Sequence, residues 1–96
     1  MRAVEEEAAL ILSSVKVNNR AALVSAFTDR LVIVDRDGTR KIPIRDVARI
    51  THKAGIRSGR LGIVTVDGEE LVIRGLRASD TPTAYQVLVQ LALAAQ

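Results

Sequence analysis

The chain has 96 residues, of which 48% are apolar, 26% are charged and 2% are aromatic, and it contains no cysteine. This length predicts a single domain over residues 1–96 with a modest core. The lack of cysteine excludes disulfides and cysteine-ligated zinc. No run of about 18 apolar residues is present, so no transmembrane segment is expected. Residues 1–7 hold three consecutive glutamates and do not resemble a secretory signal, so a cytoplasmic location is expected.

The net charge is +3, and the positive charge is concentrated in residues 40–60. That segment holds one acidic residue, Asp46, and seven basic residues: Arg40, Lys41, Arg45, Arg49, Lys53, Arg57 and Arg60. Most of them are arginine, whose planar guanidinium suits carboxylates and phosphates. The segment therefore predicts an attraction for an acidic partner that weakens as salt is added.

The first apolar positions of the chain recur at helical spacing and follow a cluster of glutamates. Because carboxylates stabilise the first turn of a helix, we expect a short amphipathic helix over residues 4–14. In the alternative, residues 11–17 begin the first strand, with Val15 and Val17 on one face. Residues 18–20 have the composition of a turn.

The middle of the chain alternates short apolar runs with turn residues, as an antiparallel sheet requires. The pattern predicts strands over residues 22–28, 31–34, 39–44, 46–53, 61–66 and 70–74. Asp37-Gly38 and Asp67-Gly68 predict tight hairpins, because glycine accepts the positive φ of such turns. Pro43 cannot donate a ladder hydrogen bond and is expected at an edge or a bend. Residues 54–59 are expected to form a loop.

The last segment predicts a helix that begins near Ser79, Asp80 or Thr81, with Pro82 in its first turn. Residues 81–96 carry no charge, and one stripe of the helix is apolar: Ala84, Val87, Leu88, Leu91, Ala92 and Ala95. Val89 and Leu93 lie away from that stripe. Since an exposed apolar patch favours association, we expect a homo-oligomer with Val89 and Leu93 in its interface.

These elements together predict an α+β domain. Its antiparallel sheet is expected to be bent, or to form a partly open barrel, with about six or seven strands. The C-terminal helix closes the sheet, and the short N-terminal helix precedes it.

Two segments carry a resemblance to a known family. Residues 26–34, with the sequence AFTDRLVIV, and residues 42–50, with IPIRDVARI, are similar to successive strands of the bacterial pleckstrin-homology-like (PH-like) domains, which include the GRAM-type domains. The strand pair around Asp67-Gly68 and the final helix fit the same order. The resemblance implies a PH-like fold and a scaffold that binds proteins, peptides or anionic head groups and can self-associate. The basic loop of lipid-binding members is reduced here to Lys16 and Arg20, so an anionic lipid is expected to bind weakly.

Reactive side chains are few, and we expect no enzymatic activity, cofactor or metal. The single histidine, His52, has no carboxylate near it in sequence to orient it. The loop contains Gly55 and Gly59, but the Lys-Ser/Thr of a phosphate-binding loop does not follow Gly59.

The predicted function is an interaction module that binds an acidic protein, peptide or head group through basic residues around the 54–59 loop. Its candidate site comprises Lys53, Arg57 and Arg60, with Arg49 and His52 as weaker members. Arg74 and Arg77 join the site if neighbouring strands bring them close. The alternative is a small nucleic-acid-binding domain that uses the same basic patch. The two aromatic residues, Phe27 and Tyr85, are expected in the core, which argues against base stacking.

Overall fold

The computed structural model describes residues 7–95 and contains seven strands, a short 3-10 turn and one α-helix. The strands are β1 (Leu10–Val17), β2 (Arg20–Ala26), β3 (Arg30–Asp35), β4 (Gly38–Pro43), β5 (Val47–Ala54), β6 (Ser58–Thr65) and β7 (Glu70–Arg77). The 3-10 turn, Ile44–Asp46, bends the chain between β4 and β5, and helix α1 spans Thr81–Ala94. All the strands join one antiparallel sheet in the order β4-β3-β2-β1-β7-β6-β5. The sheet curls into a half-barrel that α1 closes, which confirms the predicted fold class.

The predicted N-terminal helix is wrong for residues 7–14, because residues 10–14 belong to β1. Leu10 and Leu12 are half-buried, Val15 and Val17 are buried, and the register shifts between Leu12 and Val15. This β-bulge, with Ser14 at φ 58°, changes which alternate positions face the core. The inward-facing residues Leu12 and Val15 are therefore three positions apart, a spacing that also occurs on one face of a helix. Residues 4–6 of the predicted helix lie outside the described residues.

The concave face of the sheet forms the core of the described domain. Buried aliphatic side chains from six strands meet there: Val15, Val17, Val24, Leu31, Ile33, Ile42, Leu61, Ile63, Leu71, Ile73 and Leu76. Helix α1 adds Ala84 and Leu88, so the predicted apolar stripe lies against the sheet. None of the helices within residues 7–95 has the length and apolar character needed to cross a membrane.

The first turn of α1 is seated on β6 through a close contact between Gly59 and Thr81. Both residues are buried, and a Cβ atom added to Gly59 would lie 2.0 Å from Thr81 Oγ1. The Thr81 hydroxyl donates a hydrogen bond to the carbonyl of Arg77 at 2.9 Å, which fixes its position. The approach of α1 to the sheet therefore requires glycine at position 59.

Gly59→Ala is expected to lower the free energy of unfolding by about 2 kcal/mol, because a methyl group there overpacks the helix contact. Urea unfolding followed by circular dichroism measures the change. Gly55→Ala is the matched control: its added Cβ would lie an ordinary 3.5 Å from the Ser58 carbonyl oxygen, and the expected change is below about 0.5 kcal/mol. Equal effects of the two substitutions would contradict this packing role.

An ion pair ties β4 to the loop between β6 and β7. The guanidinium of Arg40 donates two hydrogen bonds to the carboxylate of Glu69. This contact holds the pKa of Glu69 below its usual range. A hydrogen bond from the Thr65 hydroxyl, followed by one from the Glu69 backbone N–H, lowers the pKa of Asp67 in the same loop. Both carboxylates therefore favour the folded state when they are ionised.

Glu69→Gln is expected to reduce the free energy of unfolding by about 0.5 kcal/mol at pH 7, the usual scale for a partly exposed ion pair. A depressed pKa stabilises the fold above the unfolded value of about 4.3 and loses this effect as the pH falls. The difference from the wild type should accordingly fade below about pH 4 in thermal unfolding. Glu70→Gln, which removes a carboxylate with no ion pair among residues 7–95, should reduce the free energy of unfolding by less at pH 7.

Candidate functional site

The register of β5, β6 and β7 separates apolar side chains from charged ones. Leu61 and Ile63 of β6 are buried, and the residues opposite them on β7, Ile73 and Leu71, are buried as well. Successive side chains of a strand point to opposite faces, so Arg60 lies on the outer, convex face. Residues directly opposite each other on paired strands share a face.

Four basic residues lie opposite one another on the outer face of four neighbouring strands. Lys53 of β5 lies opposite Arg60 of β6, and Arg60 lies opposite Arg74 of β7. Arg74 in turn lies opposite Lys16 of β1. We call these four residues the cationic row. With neighbouring strands about 4.8 Å apart, the row extends for about 14 Å across the sheet.

The cationic row opposes folding, because like charges directly opposite each other on a sheet repel. All four side chains belong to exposed residues. Within residues 7–95, none of the four has an ion-pair partner, whereas Arg20 pairs with Asp37 and Arg40 pairs with Glu69. The charge of the row is therefore available to an external anion.

Glycines on both sides of the cationic row leave its side chains accessible. On one side, Gly75 and Ser58 line a depression of about 280 Å³ together with Lys53, Arg60 and Arg74. On the other side, a second depression with the same three cations also includes Gly62 and Glu70. Glu70 is the one acidic residue that lines either depression within the described part of the chain. An anion can consequently approach the row from either side.

The remaining residues of the predicted site take different places. Arg49 shares the outer face but lies opposite Val64, four residues along β5 from Lys53. Arg57 lies in the turn between β5 and β6, where its backbone carbonyl accepts a hydrogen bond from the Ala78 N–H. The predicted loop over residues 54–59 is thus shorter than expected, since β5 continues to Ala54 and β6 begins at Ser58.

His52 does not belong to the cationic row. It lies opposite the buried Leu61, on the inner face of β5, and its ring stacks against Tyr85 of α1 with centroids 4.1 Å apart. The other aromatic ring, Phe27, is covered by the guanidinium of Arg30 at 4.4 Å. Neither aromatic side chain lines the depressions beside the cationic row.

The two residues of the predicted oligomer interface lie beside β5. Val89 is half-buried and Leu93 is 60% exposed. They line a groove between α1 and the first half of β5, which also contains Ile50 and Arg49. Association of two copies through Val89 and Leu93 stays a prediction.

Sequence reasoning identified Lys53 and Arg60 as neighbours and named Arg74 conditionally, but it did not place Lys16 in the site. Lys16 lies between the buried residues Val15 and Val17, so the strand alternative for residues 11–17 contains the signal that it faces outward. Its pairing with Arg74 depends on contact between β1 and β7, which are distant in sequence. No local pattern reports that contact.

Among residues 7–95, no three histidine, aspartate or glutamate side chains cluster closely enough to hold a metal ion. No known protein family matches the sequence, and a search of curated proteins finds no match.

Arg74→Glu is expected to raise the free energy of unfolding by about 0.5 kcal/mol, because it replaces two like-charged cross-strand contacts with two opposite-charged ones. Thermal and urea unfolding measure the change. Arg36→Glu makes the same charge change in the turn between β3 and β4 and should have a smaller effect. A loss of stability in Arg74→Glu would show that the cations do not repel one another on this face.

Proposed function

We propose that this chain is a non-enzymatic interaction module with a PH-like fold, which binds an acidic protein or peptide through the cationic row. The observation that carries the proposal is the row itself: four neighbouring cations without an ion-pair partner among residues 7–95. Such an arrangement costs stability in the free protein. A local cost of this kind is expected where a site serves function.

The PH-like assignment is supported by the order of the elements. A bent antiparallel sheet of seven strands is followed by one helix that closes it. The segments that resemble the family, residues 26–34 and 42–50, lie in β2–β3 and β4–β5 respectively. Because a fold does not define a function, the ligand class is argued from the site.

The surroundings of the cationic row favour carboxylates over single-stranded nucleic acid. Binders of single strands combine a basic groove with aromatic side chains on which bases stack. Here Tyr85 contacts His52 on the inner side, and Phe27 is covered by Arg30. The first depression beside the row is lined by lysine, arginine, glycine and serine, which suit an acidic polypeptide.

Fluorescence anisotropy with labelled poly-glutamate tests the proposal. Binding is expected at low salt and should weaken steeply as salt is added. The double variant Lys53→Glu/Arg74→Glu makes the signs alternate along the cationic row, so it should weaken binding at least tenfold while the protein stays folded. Arg36→Glu/Arg45→Glu changes the net charge equally at exposed sites outside the row and should weaken binding less than threefold.

If the two double variants lose poly-glutamate binding equally, binding depends on net charge alone, and the cationic row is overturned as the site. A duplex DNA probe and vesicles with anionic lipid are measured in parallel. If DNA binds more tightly than poly-glutamate and the row variant abolishes that binding, the protein is a nucleic-acid-binding domain instead. If only the vesicles bind, the ligand is a lipid head group.

A further inference from the structure

Strand β5 ends the sheet and leaves one edge open. It pairs with β6 on one side, and within residues 7–95 no strand lies on its other side. Six of its eight residues are exposed. Alternate backbone N–H and C=O groups along such an edge can receive an added strand.

An apolar groove runs beside the open edge of β5. Ile50 of β5 and Val89 and Leu93 of α1 line it, and its volume is about 150 Å³. One aliphatic side chain from an added strand therefore fits between β5 and α1.

The charges around the edge define which strand it accepts. Residues 47–66 contain no aspartate or glutamate, and α1 has no charged side chain. Arg49 and Lys53 lie on the outer face of β5, with Thr51 between them. A second copy of β5 would bring like charges together, whereas an acidic segment complements them.

We infer that an extended acidic segment of a partner protein adds to the sheet along β5. This inference rests on the proposed function, since it names the kind of partner that the cationic row attracts. Residues of the added strand opposite Lys53 and Arg49 are acidic and continue the row. Residues opposite His52 and Ile50 are apolar, and the second of these enters the groove beside Leu93. The preferred pattern is acidic, apolar, any residue, apolar, acidic, and its symmetry allows either strand direction.

Two labelled nonapeptides of identical composition test this pattern. The matched peptide is Gly-Ser-Glu-Val-Thr-Val-Glu-Ser-Gly. The scrambled peptide, Gly-Ser-Glu-Glu-Thr-Val-Val-Ser-Gly, places one glutamate and one valine on each face of the strand in every register. The matched peptide should bind at least fivefold more tightly in fluorescence anisotropy. It should also slow amide hydrogen exchange in β5 and leave the other edge strand, β4, unchanged.

Matched substitutions on the protein test whether the groove itself, rather than any exposed apolar residue, contributes to peptide binding. Leu93→Glu places a charge in the groove and should weaken binding of the matched peptide at least fivefold. Leu23→Glu makes the same change on the outer face of β2, at a residue that is 39% exposed, and should have little effect. Thermal unfolding of both variants verifies that they are folded.

The remaining outcomes distinguish strand addition to β5 from the proposed function and from self-association. If poly-glutamate binds the cationic row but the two peptides bind equally, addition to β5 is overturned and the proposed function stands. If neither poly-glutamate nor either peptide binds, the proposed function and the addition to β5 are both overturned. If β5 becomes protected as the protein alone is concentrated, and sedimentation detects a dimer, a second copy occupies the edge and the inference is overturned.

Discussion

The register between β6 and β7 is the constraint on which the described surface depends. The loop joining these strands closes through the Thr65 N–H and the Glu69 carbonyl at 2.9 Å, with Gly68 at φ 90°. This closure leaves three residues in the loop, and it sets Arg60 opposite Arg74. If the same sequence closed this turn around two residues instead of three, the β7 side chains that face the core would be exchanged for those that face outward. The reason is that strand side chains alternate with a period of two. The buried ladder of β6 and β7 and the pairing of Arg60 with Arg74 in the cationic row both follow from this turn.

The inner face of the sheet forms the core, and the outer face carries the cationic row. Aliphatic residues on the inner face of β6 and β7 contribute the hydrophobic free energy that offsets the repulsion on the outer face. The cross-strand repulsion is of the order of 1 kcal/mol or less for each pair, whereas burying one leucine or isoleucine contributes about 2 kcal/mol. The core can therefore hold four like charges in register. An anion that neutralises them stabilises the fold through the same contacts that bind it.

Local patterns in the sequence predicted the bent antiparallel sheet, the closing helix and the turn at Asn18–Asn19. They favoured a helix that is wrong for residues 7–14, whereas the alternative of a strand over residues 11–17 is confirmed by β1. The bulge at Ser14 moves the inward positions from Leu12 to Val15, which imitates a helical period. They could not distinguish the two Asp-Gly turns either. Asp37-Gly38 leaves two residues outside the ladder, while Asp67-Gly68 leaves three. The cationic row depends on that difference and on the β1–β7 contact, so sequence reasoning identified Lys53 and Arg60, named Arg74 conditionally and missed Lys16.

The cations at the edge of β5 have two physical roles that point to the same partner. Charged side chains on an edge strand oppose pairing with another copy of the same edge, which protects a protein from aggregation. The protection is selective, because Arg49 and Lys53 repel a basic or identical strand and attract an acidic one. A purely protective edge has no need of an apolar groove beside it, yet Leu93 of α1 remains 60% exposed at that place. The combination of repulsive charge and exposed apolar surface is therefore better explained by a strand of opposite charge than by protection alone.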